Sequence, residues 1–175
     1  MFGWHGKILR INLTNEQSTV ETINPQTARD FIGGRGWAIK YLYDEVDPSV
    51  DPLAPENKLI FATGPLTGTP APTGNRYMVV TKAPLTGAVA CSNSGGVYPT
   101  EMKRTGFDMF IFEGQAERPV YVGSTTARWR SARPSTCGAR RSPRPRTRFW
   151  KRPIPRPGWL ASARPASDWS RWRVL

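Results

Sequence analysis

The chain has 175 residues, with 25 Lys and Arg against 13 Asp and Glu and a formal net charge of +12 at pH 7. Its two cysteines, Cys91 and Cys137, are too few for the disulfide framework of a small secreted protein and too far apart to indicate a metal site. No apolar run approaches the roughly 20 residues of a membrane span, and the first residues lack the apolar core of a secretion signal. We therefore expect a cytoplasmic protein without membrane contact.

Alternation of apolar and polar residues predicts that strands dominate residues 1–122. Asn24-Pro25 is a cap and first-turn signal for a helix that runs to Ile32, and Trp37–Val46 has apolar residues on one helical face. Gly33-Gly34 between them predicts a helix stop, and a short helix is expected within residues 96–105. The predicted fold is a mainly antiparallel α+β domain, with strands Lys7–Leu13, Thr19–Ile23, Lys58–Ala62, Tyr77–Thr81, Ala88–Cys91, Met109–Glu113 and Val120–Val122.

The segment GNRYMVVTKAPLTGAVACSNSGG, residues 74–96, combines an arginine with a glycine-rich amide segment on one predicted hairpin. Arg76 begins the first strand, and a guanidinium presents a fork of donors that suits phosphate. Ser92-Asn93-Ser94-Gly95-Gly96 has the composition of a turn whose backbone N–H groups bind anions. From composition alone an ordinary surface turn stays open as the alternative, since such turns select the same residues.

Other candidate groups have simpler interpretations. Cys91 is expected to be a small buried apolar residue, because no second cysteine or base accompanies it. The sole histidine, His5, is expected to be a partly exposed terminal residue without a role. Arg35, within Gly33-Gly34-Arg35-Gly36, stays open as a second anion contact. The Pro- and Gly-rich residues 64–74 are expected to form a long ordered loop.

The composition changes near Val122. Residues 1–122 have 11 Lys and Arg and 12 Asp and Glu, whereas residues 123–175 have 14 Lys and Arg and a single acid, Asp168. This second region contains 13 arginines, seven prolines and five tryptophans, and its apolar residues follow neither a strand nor a helix period. We expect residues 123–175 to be a disordered Arg- and Pro-rich tail.

Two interpretations of the tail are open. Arginines interleaved with tryptophans suit a nucleic-acid-binding arm. The same composition also results when GC-rich DNA is translated out of frame, and residues 149–169 can be encoded so that the shifted frame gives LEETDPKAGVACIGPAGERL. We favour a frameshift between Tyr121 and Ser124, which makes nucleic acid an unlikely natural partner.

Five motifs cover nearly the whole of residues 1–122: GWHGKILRINLT, FIGGRGWAIKYLYDEV, NKLIFATGPLTGTPAPTGNRYMVVTKAPLTG, CSNSGG and KRTGFDMFIFEG. In sequence and in order they resemble the N-terminal domain of the aldehyde ferredoxin oxidoreductase family. The resemblance implies an oxidoreductase that holds tungsten or molybdenum between two pterins. It further implies oxidation of small aldehydes to carboxylates and electron transfer through a four-iron, four-sulfur cluster to ferredoxin.

The resemblance also implies roles for individual residues. Arg76, Asn93, Ser94, Gly95 and Gly96 would bind the pterin and its phosphates, and Asn93 would reach a bridging magnesium through its backbone carbonyl. No catalytic residue falls in this segment. The iron–sulfur cluster needs several thiolates, which this chain does not supply, so we expect the chain to be inactive alone.

Family members are often homo-oligomers. A non-catalytic pterin-binding accessory protein stays open as an alternative function, beside the nucleic-acid-binding module.

Overall fold

Strands form over most of the region where the sequence alternates, and they assemble into one six-stranded mixed sheet. A computed structural model describes residues 3–117, 120–125 and 128–132. The six strands are β1 (Lys7–Asn12), β2 (Gln17–Thr22), β3 (Leu59–Thr63), β4 (Tyr77–Lys82), β5 (Val89–Ser94) and β6 (Met109–Glu113). Their order across the sheet is β2-β1-β6-β3-β4-β5. All neighbouring pairs are antiparallel except β1 with β6, which are parallel, and the predicted α+β class is confirmed.

Three helices accompany the sheet: α1 (Pro25–Phe31), α2 (Arg35–Glu45) and α3 (Tyr98–Arg104). The predicted start of α1 is confirmed, because the Asn24 side chain accepts a hydrogen bond of 2.8 Å from the Gln26 N–H. The glycine pair ends this helix as expected, since Gly33 and Gly34 have φ angles of 143° and 52°. The short helix predicted within residues 96–105 is α3.

The two faces of the sheet are covered differently. Helices α1 and α2 cover one face, where the buried core comprises Ile8, Ile23, Ala28, Trp37, Ala38, Leu42, Val46, Ile60, Ala62, Val80, Met109 and Ile111. We call this the helix face. On the opposite face a smaller buried cluster contains Leu9, Ile11 and Phe110 together with Met102 of α3.

The chain continues past the main sheet in a hairpin of β7 (Tyr121–Thr125) and β8 (Arg128–Ala132), which pair antiparallel. The strand predicted at Val120–Val122 is therefore present and longer than expected. Regular structure extends beyond the change in composition at Val122. The rest of the predicted tail, residues 133–175, lies outside the described residues. No helix within the described part is long and apolar enough to cross a membrane.

A charged cluster holds one end of the sheet together. Arg10 on β1 donates to Glu21, Glu45 and Glu113, and Lys58 also donates to Glu45 and Glu113. Burial raises the pKa of Glu45, but hydrogen bonds from Arg10 and Lys58 outweigh burial and keep that pKa below its usual value. The cluster links α2, β1, β2, β6 and the residue that precedes β3, and its cations are neutralised within the fold.

The other end of the sheet is held by a buried ion pair. Asp108 is fully buried, and its carboxylate accepts hydrogen bonds from the Lys103 ammonium and from the Gly6 N–H. Lys103 also donates to the Gly64 carbonyl, 3.2 Å away. The pair therefore joins α3, the start of β1 and the loop after β3.

Replacing Asp108 with asparagine is expected to destabilise the chain by about 3 kcal/mol, because Lys103 then remains buried without a carboxylate. Urea denaturation of the 175-residue chain measures the change. The matched control is Asp44→Asn, which breaks the exposed pair with Lys40 and should cost under about 1 kcal/mol. Equal effects of the two substitutions would contradict a structural role for the buried pair.

Candidate functional site

The predicted site residues lie at the open end of the β4–β5 hairpin. Arg76 immediately precedes β4, and Gly95 and Gly96 immediately follow β5. The pairing of Tyr77 with Ser94 brings these two chain segments side by side. We call Arg76, Asn93, Ser94, Gly95 and Gly96 the hairpin-end cluster. The arginine and the amide segment, which are separated along the sequence, therefore share one end of the hairpin in space.

The strand that carries the amide residues is longer than predicted. β5 continues through Ser94, so Ser92, Asn93 and Ser94 belong to a strand and only Gly95-Gly96 form the following bend. The difference arises because β4 offers an uninterrupted ladder of partners from Lys82 back to Tyr77. Pairing overrides the turn preference of Ser and Asn.

Strand alternation divides the cluster between the two faces of the sheet. Asn93 pairs with Met78, which in turn pairs with Ala62, a core residue of the helix face. Because side chains alternate along a strand, Arg76 lies on the same face as Met78, whereas Ser94 lies on the opposite face. The structure thus groups the side chains of Arg76 and Asn93 and separates that of Ser94.

The Arg76 guanidinium donates to the Asn93 side-chain oxygen over 3.1 Å. This is its one recorded hydrogen bond among the described residues, and no described carboxylate pairs with it. A guanidinium has five N–H donors, so most of them face solvent beside a neutral amide. The charge of Arg76 is therefore available to an anion.

Gly95 provides the close approach that this arrangement needs. A Cβ added at Gly95 would lie 3.3 Å from the Asn75 carbonyl oxygen and 3.5 Å from Cδ and Nε of Arg76. Gly96 has a φ of 84°, which L side chains rarely adopt. The two glycines keep the backbone beside the guanidinium free of side chains, so that backbone N–H groups and the guanidinium can contact one ligand.

The predicted ordered loop, residues 64–74, forms hydrogen bonds with the backbone of Arg76 and its neighbours. The buried Thr67 hydroxyl lies 3.1 Å from the Arg76 carbonyl and 3.3 Å from the Gly74 carbonyl. The Asn75 side chain accepts from the Gly68 N–H over 3.0 Å. Thr67 was not among the sequence-predicted residues, because a threonine in a Gly- and Pro-rich segment carries no signal of burial.

Two other candidate residues, Cys91 and His5, are both exposed. Cys91 was predicted to be buried and is exposed, so that prediction is wrong. The reason is that β5 forms the outer strand of the six-stranded sheet, beyond the cover of α2. His5 is exposed, as predicted. In the described part of the chain, no group of three or more His, Cys, Asp or Glu residues could hold a metal ion.

A cavity of about 310 Å³ lies elsewhere, between the N-terminal segment and the loop after β3. Its cationic lining residues already have partners, since Lys103 pairs with Asp108 and Arg104 with Glu101. None of the hairpin-end cluster lines this cavity. The chemistry therefore favours the open hairpin end over this cavity.

Comparison with known proteins identifies relatives of this domain. Residues 8–130 match the sequence model of the aldehyde ferredoxin oxidoreductase N-terminal domain. A tungsten-containing aldehyde ferredoxin oxidoreductase of Pyrococcus abyssi is 58% identical over 122 residues, which is 70% of this chain and 20% of that protein. The WOR-like subunit of an aliphatic sulfonate oxidoreductase of Pyrococcus furiosus is 34% identical over 125 residues, again 70% of this chain and 20% of that protein.

A solved structure has the same fold. It is the active-site complex BamBC of benzoyl coenzyme A reductase with 1,5-dienoyl-CoA, at 36% identity and a TM-score of 0.73. The match covers 74% of this chain and 20% of that chain. This chain spans about a fifth of the length of the curated relatives described above.

Gly74→Ala is expected to destabilise the loop that supports Arg76. The added Cβ would lie 2.8 Å from the Leu66 carbonyl oxygen and 3.2 Å from the Ala71 carbonyl oxygen, so backbone must move at a cost of about 1–3 kcal/mol. Thermal unfolding measures the loss. Gly64→Ala is the matched control, since its Cβ meets no atom within 4 Å. If the control lowers the melting temperature as much, the packing argument fails.

Proposed function

The chain belongs to the aldehyde ferredoxin oxidoreductase family, and on this basis we propose that it is part of a tungsten (or molybdenum) pterin enzyme that oxidises aldehydes to carboxylates. Ferredoxin is the proposed electron acceptor. The 58% identity to a tungsten-containing aldehyde ferredoxin oxidoreductase supports this assignment over the sulfonate oxidoreductase, at 34%. The substrate itself would be selected mainly by parts of the enzyme outside this segment.

The hairpin-end cluster is the proposed contribution of this segment. A pterin cofactor of this kind carries phosphate groups, which need cationic donors and backbone N–H groups. The single observation that carries the proposal is the placement of Arg76 against Gly95, with one neutral hydrogen-bond partner and no described counterion. Asn93 orients the guanidinium, and Gly95 and Gly96 leave room for the phosphate to approach the backbone.

A bridging magnesium is proposed at the same end. β5 is the outer strand of the described sheet, so some of its backbone carbonyl groups point away from β4. Magnesium prefers oxygen ligands and is commonly shared with phosphates. The backbone carbonyl of Asn93 is the ligand that we assign to it.

The proposed role is binding and positioning. A bound metallopterin would supply the redox chemistry, while Arg76 would neutralise phosphate charge and hold the cofactor in place. No described residue is assigned as a general acid or base. Cys91 is the one cysteine of the described part, and a four-iron, four-sulfur cluster requires several thiolates. We therefore propose that this polypeptide lacks activity on its own.

Arg76→Gln tests the binding role in a complete enzyme. The host is the Pyrococcus abyssi relative with residues 3–117 of this chain in place of its own equivalent segment. Loss of one charge-assisted contact, worth about 1.5–3 kcal/mol, should lower retained tungsten and pterin after extensive dialysis by tenfold or more.

Arg29→Gln in the same host is the matched control, because Arg29 is also exposed but lies on α1. Metal and pterin are quantified by elemental analysis and by fluorescence of the oxidised pterin. Equal retention in the Arg76→Gln and Arg29→Gln proteins would refute the role of Arg76.

We also infer that residues from about Gly123 onward are translated from a shifted frame. Two observations support this: the excess of positive charge falls entirely after Val122, and the Pyrococcus abyssi relative matches over 122 residues. A basic tail that binds nucleic acid would be the alternative, and no described residue supports it.

Sequencing the DNA across the codons for Tyr121 to Ser124 is expected to reveal one missing or additional base. Restoring the frame should extend the match to the relatives well beyond residue 130. A confirmed reading frame, with no related sequence in any frame downstream, would contradict the inference. Salt-sensitive binding of DNA by the chain would then become the expected property.

A further inference from the structure

We propose that Arg35, the first residue of α2, is a second arginine of the phosphate site that contains Arg76. This inference rests on the proposed function of the hairpin-end cluster and extends it to another element of the fold. The ligand chemistry is a diphosphate or two neighbouring phosphate groups. The proposal is argued from the position of α2, from its orientation on the sheet and from the charges around it.

Helix α2 begins at the same end of the sheet as the hairpin-end cluster. The Gly34 N–H donates to the carbonyl of Thr63, the last residue of β3, over 3.0 Å. Thr63 pairs with Tyr77, the residue after Arg76. The backbone before Arg35 is therefore fixed one strand away from the backbone of Arg76.

The helix also lies on the matching face of the sheet. A Cβ added at Gly34 would lie 3.6 Å from Cγ of Met78, and Met78 pairs with Asn93. Arg76 and Asn93 share that face, as strand alternation requires. The start of α2, Arg76 and Asn93 consequently border the same region of surface.

The helical period sets the side of α2 on which Arg35 lies. Trp37 packs against Trp4, with ring centroids 6.2 Å apart. This contact turns that flank of α2 toward the segment that precedes β1. Residues two apart do not share a helix face, so Arg35 lies on the flank of α2 that is turned away from Trp37 and Trp4.

The charges around Arg35 leave it available to a ligand. Arg35 is exposed, and within the described part of the chain it has no recorded hydrogen bond or ion pair. Helix α2 has a glycine N-cap, no side-chain cap and no acid in its first turn, so nothing local neutralises the arginine. Two guanidiniums without a described carboxylate partner at one edge of one face suit a ligand with more than one negative charge.

The test is a titration of the 15N-labelled 175-residue chain with inorganic pyrophosphate. The backbone N–H signals of Gly95 and Gly96 report binding at the site itself, so the basic residues 133–175 do not contribute to the readout. We expect these signals to shift, and Arg35→Gln to weaken the apparent affinity about tenfold, with a similar loss for Arg76→Gln. Added salt should weaken binding in every variant.

Arg29→Gln is the matched control, since it removes one exposed arginine from the neighbouring helix and should leave the affinity unchanged. An Arg35→Gln protein that binds like the control while Arg76→Gln is weakened would overturn the role of Arg35 and leave the proposed function standing. Absence of any shift at Gly95 and Gly96 in the unchanged chain would overturn both. Unchanged signals of core residues in each variant establish that the fold is intact.

Discussion

The buried pair of Lys103 and Asp108 is the interaction on which this end of the domain depends. Asp108 joins three elements at once: its backbone carbonyl accepts from both the N–H and the hydroxyl of Thr63, and its carboxylate accepts from Gly6 and Lys103. Burying a charge is costly unless it is paired and hydrogen-bonded, and here the Lys103 ammonium and both Asp108 carboxylate oxygens have partners. The pair therefore determines where β3 ends and where the following loop begins.

The position of the candidate site follows from that constraint. Thr63, held by Asp108, accepts the Gly34 N–H that fixes the start of α2. Gly64, held by Lys103, begins the loop whose Thr67 hydroxyl supports the backbone of Arg76. A phosphate site built from long arginine side chains gains precision when their backbones are fixed by buried contacts rather than by the loops alone.

Local signals in the sequence were sufficient for most elements. Met109–Glu113 was predicted with its observed bounds, and Asn24 caps α1 as its side chain and the following proline indicated. The start of α2 was missed, because Arg35 and Gly36 have no apolar periodicity, and the first turn is closed by hydrogen bonds from the Gly36 and Ala38 N–H groups to the Gly33 and Gly34 carbonyls. From the sequence alone, a glycine pair at the start of a helix is interpreted as the end of the preceding helix.

Properties that depend on the order of the strands in the sheet could not be predicted from local sequence patterns. The parallel pairing of β1 with β6 joins residues about a hundred positions apart, and no alternation pattern encodes that neighbour. Cys91 was misjudged for the same reason, since its exposure follows from β5 being the outer strand. The grouping of Arg76 with Gly95 could be anticipated, because a hairpin necessarily brings its two ends together.

The division of Asn93 and Ser94 between opposite faces required the register. A one-residue shift of β5 against β4 would exchange their faces. In a hairpin the turn fixes the register, and this turn is closed by hydrogen bonds from the Ala83 N–H to the Ala88 carbonyl and from the Gly87 N–H to the Ala83 carbonyl. The turn at one end of the hairpin thus decides which polar residue accompanies Arg76 at the other end.

The partners of the cations distinguish the structural charges of this domain from the charge at the candidate site. Arg10, Lys58 and Lys103 each have carboxylate partners inside the fold, and removing a partner would leave a poorly solvated charge. Arg76 instead has a neutral amide as its partner, and an amide fixes the direction of a guanidinium without cancelling its charge. A carboxylate at position 93 would hold the arginine equally well but would repel phosphate. Asparagine is therefore the residue type that satisfies both demands, orientation of the cation and attraction of an anion.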